Sequence, residues 1–188
     1  MTTLAHKISV EEYLARERQA EIRSEYLAGQ IVTMSGASLS HTRIVTNILK
    51  ELADCLAEKD CEIVAVDMRV HIPACDRFVY PDLVIICGDP VLKEDEYLDT
   101  LLNPTVIIEV LSPSTSDYDR NNKARCYFTL PSLQSYYLIP QNREEQIEVF
   151  TRQAEHRWEL TLIQNVGTER VEIAGCEVAV EEIYRKVK

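Results

Sequence analysis

Two apolar runs constrain this chain more than anything else in it: Tyr80-Pro81-Asp82-Leu83-Val84-Ile85-Ile86 and Thr105-Val106-Ile107-Ile108-Glu109-Val110-Leu111. Short apolar, β-branched runs between turn signals predict strands covered on both faces, and therefore a sheet with a layer on either side. Each run carries one carboxylate. An unpaired carboxylate in such a strand costs several kcal/mol of desolvation, so each acid demands a partner. With a period of two, Asp82, Val84 and Ile86 share one face of the first strand, and Ile107, Glu109 and Leu111 share one face of the second. If the strands are neighbours, about 4.8 Å apart, the acids meet over one hard cation such as Mg²⁺, which takes oxygen ligands and keeps several waters. The other reading has Asp82 at a strand edge after Pro81 and Glu109 held by an internal Arg or Lys. Spacing alone leaves both open.

The chain has 188 residues, 46% hydrophobic and 27% charged, which predicts one α/β (α+β) domain over 1–188 with a real core. No stretch approaches the length of a membrane span, and the start has no apolar signal region. Six cysteines, at 55, 61, 75, 87, 126 and 176, form no C-x-x-C pair. Buried free thiols in a reducing cytosol are the expectation, and with them a cytoplasmic protein. The four histidines, His6, His41, His71 and His156, form no close pair of the kind zinc takes. A net charge of −11 argues against non-specific coating of nucleic acid, but not against an enzyme acting on it. Arg16, Arg18, Arg23, Arg43, Arg69, Arg120, Lys123 and Arg125 form a basic surface only if the fold makes them converge.

Along the chain, Ser9 and Glu12 predict a capped helix from Val10 to about Gln19. Residues 22–34 read as a hairpin turning at Ala28-Gly29. Ser38 or Ser40 caps a long helix to about Glu58, and Glu62 to Ile72 reads as one long strand. Glu94-Asp95-Glu96 reads as a solvated acidic run. Ser112-Pro113-Ser114 ends the Glu109 strand, and a helix from Ser116 to Leu130 follows, with Asp117 and Asp119 at its positive end. On that helix Ser116, Arg120, Lys123 and Tyr127 fall near one face. Lys123 is then able to reach a phosphate or a water beside the carboxylates; the plainer reading pairs it with Asp119 on the surface. Strands near Ser135-Ile139, Gln146-Thr151, Trp158-Ile163 and Cys176-Val178 complete the chain, with turns at Gln141-Asn142 and Val166-Gly167.

Pro81-Asp82, then Glu109-Val110-Leu111 running into Ser112-Pro113-Ser114-Thr115, then Asp119, Lys123 and Tyr127 resemble the Uma-two family. The similarity takes in Glu25-Tyr26-Leu27-Ala28-Gly29-Gln30 and Ser40-His41, so it covers residues 10–140 or so. The resemblance implies a restriction-endonuclease-like fold of the PD-(D/E)XK superfamily: a central mixed sheet flanked by helices, here with an antiparallel C-terminal extension. It implies an Mg²⁺- or Mn²⁺-dependent endonuclease acting on DNA. Asp82, Glu109 and the Val110 carbonyl would hold the metal and Lys123 would assist catalysis. Glu25 falls at an early acidic position able to complete the shell, and His41, Arg120 and Tyr127 stand nearest the substrate. A homodimer is expected, since cutting both strands needs two sites. Two departures stand out. Leu111 replaces the strand lysine of the superfamily, and Tyr136-Tyr137-Leu138-Ile139-Pro140 lacks the acid usual at its end. The missing strand lysine and the acidic balance favour a second reading, a non-catalytic module binding nucleic acid or protein on the same fold.

Overall fold

In the computed structural model, which describes residues 7–65, 67–94, 97, 99–112, 116–166 and 168–187, the chain builds two mixed sheets that meet at the Asp82 turn. Calls that touch His6, Asp95, Glu96, Pro113, Ser114, Thr115 and Gly167 lie outside the described residues.

Helix α1 (Val10–Glu17) opens where the Ser9 side chain accepts from the Glu12 amide at 3.2 Å. It buries Tyr13 and Leu14 against Tyr26 and Phe78. Strands β1 (Ser24–Leu27) and β2 (Gln30–Thr33) form the expected hairpin. Ala28 and Gly29 both take positive φ there, 50° and 98°, as a two-residue turn between right-twisted strands requires. A Cβ at Gly29 would fall 2.9 Å from that of Lys7, so the position admits glycine alone.

Helix α2 (Leu39–Ala57) starts at Ser38, whose hydroxyl accepts from the His41 amide at 3.1 Å. Its apolar stripe, Ile44, Val45, Ile48, Leu52 and Leu56, packs on one face of the larger sheet. The expected single strand over Glu62 to Ile72 is two: β3 (Cys61–Ala65) joins the six-stranded sheet and β4 (Arg69–Ile72) the five-stranded one. Asp67, at φ 70°, turns the backbone between them; alternation is indifferent to such a corner.

Strand β5 (Arg77–Val79) lies in the smaller sheet and, through Tyr80-Pro81-Asp82, becomes β6 (Leu83–Cys87) of the larger. The smaller sheet runs β2-β1-β5-β4-β7, with β7 (Thr100–Leu101) at its edge. Strand β8 (Val106–Leu111) is buried at all six positions, as predicted. Beyond it come β9 (Ser135–Pro140), β10 (Ile147–Ala154) and β11 (Arg157–Ile163), giving the order β11-β10-β9-β8-β6-β3. Only β8 and β9 are parallel in that sheet. A hairpin of β12 (Arg170–Ile173) and β13 (Cys176–Ala179), with helix α5 (Val180–Ile183), completes the antiparallel C-terminal part.

The helix expected from Ser116 to Leu130 is broken into α3 (Ser116–Tyr118), a π-helical turn (Asp119–Lys123) and α4 (Ala124–Tyr127). In the wide turn the Ala124 amide reaches the Asp119 carbonyl, which rotates the residues after it relative to a regular helix.

The free-thiol expectation is overturned: Cys55–Cys176, Cys61–Cys87 and Cys75–Cys126 are disulfides, and no cysteine is free. Cys61 and Cys87 face one another across β3 and β6; the other pairs join segments far apart in sequence, a proximity that spacing does not encode. Cysteine usage therefore no longer argues for a reducing compartment. No helix among the described residues is long and apolar enough to cross a membrane.

Candidate active site

Strands β6 and β8 are antiparallel neighbours, with Leu83 opposite Ile108 and Val84 opposite Ile107. One step further that register sets Asp82 opposite Glu109, on the sheet face where Val84, Ile86, Ile107 and Leu111 pack, the face alternation predicts. Asp82 is held on both oxygens. Oδ2 accepts from the Val110 amide at 2.7 Å, and Oδ1 lies 3.1 Å from His41 Nε2. Burial opposes a charge on His41, but the hydrogen bond and charge of Asp82 outweigh it, with the Val110 backbone adding to them; the imidazole pKa lies above its ordinary value.

Deeper in the cleft, Lys123 Nζ stands 2.9 Å from Glu109 Oε1 and 3.0 Å from Glu25 Oε1. All three residues are buried, as is Asp119. The Tyr127 hydroxyl donates to the same Glu109 oxygen at 2.9 Å, and the Tyr80 amide donates to Glu25 at 3.3 Å. Burial raises the Glu109 carboxyl, Lys123 opposes it and Asp82 and Asp119 add to it, and the balance is a pKa pushed up to about 8. For Lys123 burial works against the charge and is outweighed by Glu109, Glu25 and Asp119, so the ammonium is held well above its usual range. Glu25 and Glu109 thus share one lysine, with the charge of Asp119 acting on it as well, while Asp82 is paired with His41 at the rim. The site is electrostatically short of positive charge.

Of the residues expected at the site, Asp82, Glu109, Val110, Lys123, Glu25 and His41 all line one cleft of roughly 620 Å³. Tyr127 is behind it, fully buried, with its hydroxyl on Glu109 rather than towards a substrate. Arg120 points elsewhere: it pairs with Glu148 at 2.6 Å and Glu145 at 3.3 Å. The π-helical turn separates it from Lys123, although a regular helix would have kept them close. Among the described residues no arginine of the expected basic patch lines the cleft. Arg16 pairs with Glu12, Arg18 and Arg69 with Asp99, and Arg23 with Asp67. Among the described residues lining the cleft, Lys123 is the sole lysine and there is no arginine. Asp119, four residues before Lys123, and Tyr118 also line it. Asp119, expected at the positive end of its helix or paired with Lys123 on the surface, is instead buried at the cleft, and its four-residue spacing from Lys123 is the signal for it.

The donor set suits a hard divalent cation. Asp82, Glu109 and the Val110 carbonyl supply oxygen, and the excess negative charge is what such an ion offsets. Among the described residues no group of three or more His, Cys, Asp or Glu is arranged to hold a metal by itself. An ion there would rest on two carboxylates, a carbonyl and water, which is how Mg²⁺ is commonly bound.

A mixed sheet with paired acids on adjacent strands and a lysine on the following helix defines the restriction-endonuclease-like class, and comparison bears this out. The fold matches a crystal structure from Anabaena variabilis, described as a "putative nuclease belonging to DUF820", with TM-score 0.73 and 18% identity over 94% of this chain and 97% of that one. Residues 10–181 match the Uma2 family, described as "Putative restriction endonuclease". The chain belongs to the Uma2 family. Two uncharacterised proteins of Synechocystis sp. strain PCC 6803 are similar along most of their length. One is 33% identical, covering 86% of this chain and 90% of its own. The other is 32% identical, covering 95% and 92%.

Proposed function

We propose that this chain is a divalent-cation-dependent nuclease that hydrolyses phosphodiester bonds in DNA, with the cation on Asp82, Glu109 and the Val110 carbonyl. One observation carries the reading: Glu25, Asp82, Glu109 and Asp119 line one open cleft in which Lys123, held by Glu25 and Glu109, is the sole lysine among the described residues. A purely structural ion pair would balance its charges, whereas here the acids outnumber the cations, and a bound divalent cation would offset the excess. A divalent cation bound there lowers the pKa of a coordinated water and offsets charge developing on the phosphate.

The protein groups divide the remaining work. Lys123 is a donor for the phosphate or the attacking water, standing in for the lysine that Leu111 replaces. Glu25 orients it through their 3.0 Å contact, and the Tyr80 amide donates to the same Glu25 oxygen and holds it in place. Tyr127 holds one Glu109 oxygen and leaves the other available. His41 and the Val110 amide fix the Asp82 carboxylate in plane.

The cleft's lack of arginine favours a second reading, a non-catalytic module on the same fold, since phosphate binding ordinarily rests on Lys and Arg. Calorimetric titration with Mn²⁺ separates them. The nuclease reading expects binding to wild type and its loss in Glu109→Gln, followed by metal-dependent DNA cleavage that Asp82→Ala abolishes. No Mn²⁺ binding to wild type, with or without DNA, would favour the module.

A further inference from the structure

The cleft is lined by apolar side chains as well as charged ones, and two apolar rows in it each start at a residue of the site. Val32 of β2 pairs with Glu25 of β1, so their side chains stand on one sheet face. Met34, whose amide donates to the Arg23 carbonyl at 2.9 Å, continues that face two residues further on. On α2, Val45 and Leu49 follow His41 at four-residue steps, which keeps all three in one row. These four apolar residues line the cleft together with Glu25 and His41. Val32 and Met34 are 46% and 37% exposed, so the row that starts at Glu25 meets water directly. Only small residues, 35–38, separate the two rows along the chain, and a Cβ at Gly36 would meet nothing within 4 Å.

We propose that the cleft takes an unpaired nucleotide, so that its substrate is single-stranded DNA, with the base against Val32, Met34, Val45 and Leu49. The proposal rests on the nuclease reading for its phosphate site at Asp82, Glu109 and Lys123. Charge favours a single strand over a duplex. The described lining sets Glu25, Asp67, Asp82, Glu109 and Asp119 against Lys123 and His41, with no arginine. A duplex brings about one phosphate charge per 1.7 Å of its axis, and this lining has too few cations to hold two backbones. An unpaired strand places one phosphate at the cation site and gains its affinity from bases, which a duplex keeps stacked and out of reach. Every base has an apolar face, so aliphatic walls hold any of the four and no strong sequence preference follows. The volume, roughly 620 Å³, is of the size that encloses one small ligand rather than a helix.

Fluorescence anisotropy in Ca²⁺ tests it with three labelled probes: a single strand, the same strand annealed to its complement, and an abasic strand of equal length. Wild type should bind the single strand about tenfold tighter than either the duplex or the abasic strand. Val32→Thr with Met34→Gln should weaken binding of the single strand about fivefold, leave the abasic strand as it is, and keep the wild-type melting temperature. Ile22→Thr, which removes an exposed apolar side chain outside the cleft lining, should bind all three probes as wild type does. No binding of the single strand, a duplex or abasic strand bound as tightly, or a double variant that discriminates as wild type does would each overturn the proposal. Cleavage in Mn²⁺ keeps it apart from the nuclease reading. A duplex cut as fast as the single strand overturns the proposal and leaves that reading standing. Tighter binding of the single strand with no cleavage overturns the nuclease reading and upholds the base-binding walls.

Discussion

Lys123 and Glu25 come from different layers, the helix after β8 and the first strand of the smaller sheet, yet their charged groups lie 3.0 Å apart in the floor of the cleft. The contact ties the two sheets together at the site. Replacing Lys123 by Met leaves Glu25, Glu109 and Asp119 buried without a cation, which costs about 3–5 kcal/mol. The loss should be read by urea denaturation in EDTA and be partly restored by Mn²⁺. A variant equally unstable with and without Mn²⁺ would argue against a cation site there.

Tyr127→Phe removes one hydrogen bond to a buried carboxylate with little change of volume. The expected cost is about 1.5–3 kcal/mol, with weaker Mn²⁺ binding because Glu109 loses a constraint on its orientation. Tyr136→Phe, whose hydroxyl reaches the Asp119 carbonyl at 3.3 Å, should affect metal affinity less, and calorimetry on both variants makes the comparison.

DNA binding should depend on the divalent ion. With one lysine and no arginine lining the cleft among the described residues, little counterion release accompanies binding, and the slope of log K against log salt should be about −1. Fluorescence anisotropy with labelled DNA, in Ca²⁺ and then in EDTA, measures both. A steep slope in EDTA would mean that a basic surface elsewhere carries the binding.

Asp99 accepts hydrogen bonds from Arg18 and Arg69, at 3.0 and 2.6 Å. Burial alone would raise its carboxyl pKa, but the two guanidinium groups outweigh it and hold the carboxyl well below the usual range. A group whose folded pKa is depressed contributes stability above its unfolded value, about 3.9, and loses it as pH falls towards the folded value. Asp99→Asn should therefore cost about 2 kcal/mol at pH 7, less than a fully buried pair because the Asp99 side chain is 33% exposed. The gap between variant and wild type should narrow below about pH 4, as followed by guanidinium denaturation.

Cys75–Cys126 links the turn after β4 to the helix that begins one residue beyond Lys123. Cys75→Ser together with Cys126→Ser should lower stability by about 2–4 kcal/mol. Amide exchange across residues 116–127 should rise more than exchange in β8.

Much of this protein was legible in its sequence, because the relevant signals are local. Alternation gave the face of each strand on which Asp82 and Glu109 lie, Ser9 and the pair Ser38 or Ser40 marked helix starts, Ala28-Gly29 marked a hairpin, and the buried run around Glu109 required a sheet covered on both sides; that the two acid strands are neighbours came from packing. Tertiary structure decided the rest. The split of the run Glu62 to Ile72 between two sheets hangs on one left-handed residue, Asp67, that no periodicity reports. The π-helical turn sends Lys123 inward and Arg120 away, since one extra residue in a helical turn changes every direction after it. The disulfides, and the ammonium shared by Glu25 and Glu109, depend on segments distant in the chain meeting in space. Residue spacing specifies direction along an element; only packing specifies which elements meet.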